Sequence, residues 1–172
     1  MSVNQNSIRT INWKSALVVT LLVAFAALLA TPLGPLGVFW RPSADIPVAN
    51  ATTIQLLLFL VLNITESLAF GLGIAFLIFG YPLVRAISPA SFGLTRATHI
   101  AITWLLSNWW IHDGLHTHIG MSLDGLLGIE YGFHVTLMIA GVILAIFFLT
   151  LIRQEKAVSP AMIAKHSIKE AK

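Results

Sequence analysis

The sequence predicts an all-α integral membrane protein: a bundle of four transmembrane helices with both termini in the cytoplasm. Three observations predict it. Of 172 residues, 57% are hydrophobic and only 10% are charged, less than half the charge fraction of an ordinary soluble domain. Four apolar runs are long enough to cross a hydrocarbon core about 30 Å thick as helices. Among the 10 Lys and Arg residues, Arg41 alone lies on the far side of those runs, which is the asymmetry that keeps cations in the cytoplasm.

The first run covers about residues 15–30 and stops at Thr31-Pro32, because proline clashes with a continuing helix. Arg9 and Lys14 precede it. A cleaved signal peptide would share that charge pattern, but Leu28, not a small residue, stands in the third position of such a cleavage site. The run therefore reads as a retained first span. The second run, about 53–84, is longer than a crossing needs, so it tilts or projects into the headgroups. Arg85 and Arg96 separate it from the third, about 97–116, and the fourth covers about 131–153.

Residues 1–153 thus form one membrane domain, and 154–172 a basic cytoplasmic tail in which Ser159-Pro160 suits the start of a short helix on an anionic leaflet. The outward linker, 31–52, contains Pro32, Pro35, Pro42 and Pro47 and reads as irregular. Its Phe39-Trp40-Arg41 suits the headgroup level. In the second outward segment, 117–130, Ser122-Leu123-Asp124 reads as the cap and first turn of a helix leading into the fourth span.

These placements absorb the basic charge, so a pI of about 9.6 anchors topology and does not indicate nucleic acid. The expected partners are the lipid bilayer and either further copies of the chain or other membrane subunits. The expected location is the cell's inner or plasma membrane, as a multi-pass protein. The absence of cysteine excludes disulfides, thiolate zinc sites, iron–sulfur clusters and c-type haem attachment.

In so apolar a chain, an ionisable residue inside a span is costly and becomes a functional candidate. Glu66 lies within the second run. Helical spacing puts it on one face with Asn63 and Ser67, while Ser67 and Gly71 form a small-xxx-small pair that admits a neighbouring helix. The third run ends in the densest polar cluster, from Asn108 through His112, Asp113 and His116 to His118. His112 and His116, one turn apart, can reach a single metal ion. Glu130 and His134 repeat that spacing at the start of the fourth run. The topology brings these two ends together, with Glu66 expected deeper, about 20 Å along its helix.

The expected site is therefore a metal centre of His112, His116, Glu130 and His134 at the outer face. Glu66, Asp113 and His118 are further ligands or groups that orient the ligands. Imidazole with carboxylate suits copper, iron or zinc; haem b is a poorer fit, since the available axial histidines lie near the surface. Such a protein would be a redox component, an oxidase subunit or a metal-handling protein. Two alternatives stand beside it: a non-enzymatic accessory subunit whose cluster only orders helix packing, and a proton-coupled transporter using Glu66. His112-Asp113-Gly114-Leu115-His116 resembles the His-Asp-Gly-Leu-x-His box of the membrane carotene hydroxylases over about five residues, one residue short between its histidines. That family's further His-x-x-His-His boxes have no counterpart among the 6 histidines, so no site or activity follows from the resemblance.

Overall fold

The computed structural model describes residues 12–32, 34–41, 52–87, 91–120 and 122–170, with side chains to residue 154. Every regular element among them is helical. Helix α1 (Trp13–Leu29) opens on Asn12, whose side chain accepts from Ser15 N at 3.1 Å, satisfying one of the amides that a helix start leaves without a partner. A 3-10 helix follows (Gly37–Trp40). Helix α2 (Thr53–Phe79) begins with a reciprocal capping box between Thr52 and Gln55.

The second run does not continue as one helix to residue 84. It ends at Phe79, and a separate short helix, α3 (Tyr81–Ile87), follows Gly80. Pro82 is the cause: it has no N–H to give the carbonyl of Ile78, and its ring would strike that carbonyl. Helix α4 (Phe92–Ile119) starts at the Ser91 cap and stops at Gly120, whose φ of 54° few other residues would adopt. Ser122 caps the short α5 (Leu123–Ile129), with Asp124 in its first turn. A single π-helical turn (Glu130–Val135) then leads into α6 (Thr136–Glu170). No glycine or proline interrupts residues 142–159, so the helix expected to start at Ser159-Pro160 is instead the continuation of α6.

Among the described residues, two stretches are long and apolar enough to cross a membrane: α2, and the helical segment Leu123–Gln154. The other two expected spans differ from these for physical reasons. Helix α1 is as apolar but has only 17 residues. Helix α4 has 28, but His99, Asn108, His112, Asp113, His116 and His118 dilute its hydropathy.

The main packing contacts join α1 to α2, α2 to α4, and α4 to α6. Small residues set the approach: a side chain at Gly71 would meet the backbone of Thr20 and Ala24, and one at Gly73 would meet Ser107. The helix admitted by the small pair in α2 is thus α1. The pattern of burial is inverted relative to a water-soluble protein. Leu22, Phe25, Ile54 and Ile100 lie on the outside, whereas Thr98, Thr103, Ser107, Asn108 and His112 are buried. The 3-10 helix is not free at its level either. Trp40 packs edge-on against Trp110 and fills the space beside Gly114, while Arg41 donates to the carbonyls of Pro32 and Gly34 at 3.3 and 3.1 Å.

Candidate functional site

The polar cluster forms where the last turns of α4 meet the π-helical turn. Two contacts hold these elements in register: Trp104 Nε1 donates to Thr136 Oγ1 at 3.0 Å, and the Trp104 ring stacks on Phe133. A π-turn inserts one residue more than an α-turn, so it re-aims the side chains that follow it, and such turns recur at functional sites. Here it carries both Glu130 and His134, with Phe133 buried toward α4.

His112 is the centre of the arrangement. Its residue is only 8% exposed, and its ring lies 4.5 Å from that of His116 and 5.2 Å from that of His134, centroid to centroid. Phe133 and Trp109 close it in from the sides. His112 Nδ1 donates to Asp113 Oδ1 at 2.8 Å, and His134 Nδ1 donates to Glu130 Oε2 at 2.6 Å. A carboxylate only accepts, so both rings carry their proton on Nδ1 and present a lone pair at Nε2. In His112 that Nε2 is buried with no hydrogen-bond partner among the described residues.

Glu66 is not deeper than this cluster. Glu66 stands beside Asp113 across the α2–α4 contact. The first turns of α2, from Thr53 to Leu62, stand exposed on every side, projecting past the neighbouring helices. The 20 Å counted from Thr53 therefore brings Glu66 only level with Asp113. Asp113 Oδ1 in turn accepts from His112 Nδ1. Glu66, Asp113 and His112 thus form one connected chain.

The structure brings together His112, His116, His134, Glu130, Asp113 and Glu66. It does not bring His118, which stacks flat on Phe39 at 5.2 Å. Glu130, expected as a ligand, faces the Nδ1 side of His134 and so takes the position of a group that orients the ring. Among the described residues, no three His, Asp or Glu side chains stand as they are in the arrangement that holds a metal ion. His99, at the far end of α4, has its Nε2 2.9 Å from Phe76 O and lies against the rings of Phe76 and Tyr81, a packing role.

Sequence reasoning missed Phe133, Trp104 and Thr136, which set the spacing of the two histidine-bearing elements. The available signal was an aromatic directly before His134 and three residues after Glu130. Comparison with known protein families, with curated proteins and with solved structures finds no match.

Proposed function

We propose that the chain is a four-span membrane protein, both termini cytoplasmic, that holds one zinc or copper ion between His112, His116 and His134 at its outward end. The observation that carries this reading is the buried, unpartnered Nε2 of His112, with two more imidazoles within about one ring's width. A buried acceptor without a donor is costly, and a cation relieves that cost. Asp113 and Glu130, each bonded to an Nδ1, fit the carboxylate–histidine–metal pattern that fixes ring orientation and strengthens the ligand. With both carboxylates engaged in this way, the ligands are imidazoles, which favours zinc or copper over an iron site that needs direct carboxylate ligation. Closing the site requires rotation of His134 and His116, of which His134 is on the accessible rim. That accessibility suits a protein that takes up and hands on the ion or exchanges electrons through it. The lipid reading is supported by the apolar exterior and polar interior of the helices, since lipid is the solvent that rewards this inversion.

Metal analysis of the purified chain after incubation with Zn2+ or Cu2+ tests the proposal. The wild type is expected to retain one ion per chain and His112→Ala almost none. Glu130→Gln is expected to weaken binding about 10-fold or more without abolishing it. A folded wild type that retains no more metal than His112→Ala rules the centre out. That result would favour the second reading, an accessory subunit whose cluster orders packing, for which the satisfied His112–Asp113 and His134–Glu130 pairs are the supporting observation.

A further inference from the structure

We propose that the ion this protein handles is Cu(I), and that His134 and Met138 form the pair of ligands that first receives it at the accessible edge of the site. The inference deepens the metal reading above and rests on it.

Three successive turns build the pair. Glu130, His134 and Met138 follow one another at intervals of four through the π-helical turn and the start of α6, so they share one face. The 2.6 Å bond from His134 Nδ1 to Glu130 Oε2 turns that side of the ring back toward the turn before. Nε2, on the other side of the ring, is thereby turned toward the turn that follows, where Met138 stands. Helical side chains lean toward the N-terminus of their helix, so the Met138 thioether leans back toward the His134 ring. A nitrogen lone pair and a sulfur thus come from neighbouring turns, at the spacing that lets two side chains of one helix hold a single ion.

The pair is open on its outer side. Met138 is 64% exposed, and 41% of the His134 side chain is accessible too, whereas the His112 ring, 5.2 Å from that of His134, is buried. His134 therefore stands between an exposed sulfur and a buried imidazole. The rotation of His134 that closes the inner site carries the ion inward. That step is an exchange of ligands at constant oxidation state: the bond to Met138 breaks as the bond to His112 Nε2 forms. The sulfur decides the metal. A thioether is a soft ligand that selects Cu(I) over zinc, and with no cysteine in the chain it is the only soft ligand available. The charge agrees, since imidazole and thioether are neutral and the single carboxylate behind His134, that of Glu130, balances one positive charge. A divalent ion on this pair would leave a net charge in apolar surroundings, which is costly.

The test is titration of the full chain in detergent micelles with Cu(I) under reducing conditions, in competition with a coloured Cu(I) chelator, beside a parallel titration with Zn2+. Met138→Leu keeps the size and apolar character of the side chain, so the protein should fold as the wild type does. It is expected to weaken Cu(I) binding about tenfold or more and to leave Zn2+ binding unchanged, because only the soft ligand is lost. X-ray absorption at the copper edge should show sulfur around the ion in the wild type and none in Met138→Leu. Met162→Leu, in the basic tail, should match the wild type in both measurements. Wild-type Cu(I) affinity with the sulfur signal retained in Met138→Leu would overturn the assignment, as would an equal loss of Cu(I) and Zn2+ binding. A wild type that binds Zn2+ but not Cu(I) overturns this inference and leaves the three-histidine centre standing. A wild type that binds neither ion overturns the metal reading as a whole.

Discussion

Replacing Gly71 with Leu is expected to separate α1 from the rest of the protein and to leave little folded material. A Cβ at this position would collide with the carbonyl oxygen of Thr20 and stand 2.9 Å from Ala24 N and 3.1 Å from Ala24 Cβ. Those are mostly backbone atoms, so no rotamer change relieves the contact and the helices themselves must part. Overpacking a well-packed contact typically costs 1–3 kcal/mol, and about 3 kcal/mol or more is expected here because the obstruction is backbone. The separation would also strain the bond from Trp110 Nε1 to Ala27 O, 3.2 Å long, which ties α4 to the end of α1. Gly141 supplies the control. Nothing lies within 4 Å of a Cβ there, so Gly141→Leu should be neutral or more stable by up to about 1 kcal/mol, through helix propensity alone. Unfolding of both variants in mixed micelles, followed by circular dichroism, measures the difference. Equal stability of the two would mean that α1 and α2 do not pack through Gly71.

The same two glycines illustrate how far the sequence could be read. Ser67 and Gly71 at a spacing of four announce a close helix approach, but which helix arrives depends on the paths of the intervening loops. Helix ends governed by a single residue were legible: Pro32 closes the first run, and Ser122 and Asp124 start the helix before the fourth. The break at Gly80 and Pro82 was equally visible in principle, yet apolar residues on both sides mask it, because hydropathy is blind to a missing N–H.

In the site, the spacing of His112 and His116 and of Glu130 and His134 was legible because α-helical geometry relates residues four apart. The π-turn was not, since its extra residue changes no local composition. Nor was the level of Glu66. That depends on how far α2 projects beyond its neighbours, a property of packing between helices and not of any one of them. The choice between ligand and orienting group for Glu130 rested on which ring nitrogen it meets, which spacing alone leaves open.

The chain from Glu66 through Asp113 to His112 gives a further expected result, because Asp113 has two partners with different purposes. Asp113→Ala should destabilise the protein by about 1–3 kcal/mol, the usual cost of leaving a buried polar group unpaired, since Glu66, 8% exposed, then faces no partner. Glu66→Ala removes the buried carboxyl together with its need for one, and the Glu66→Ala, Asp113→Ala double variant should be no worse than Asp113→Ala alone. Coupling of about 1–3 kcal/mol is therefore expected from unfolding of the four proteins; additivity within about 0.5 kcal/mol would mean that the two carboxyls do not interact. Glu66→Gln keeps a donor for Asp113 and should be nearly silent. Metal affinity separates the second purpose from the first. Asp113→Ala also frees His112 Nδ1, so the ring loses its fixed orientation and binding should fall about 10- to 100-fold. Glu66→Gln leaves the His112–Asp113 bond in place and should bind the ion as the wild type does. If the two variants lower affinity equally, Glu66 acts on the ion directly, and its place would be among the ligands rather than behind Asp113.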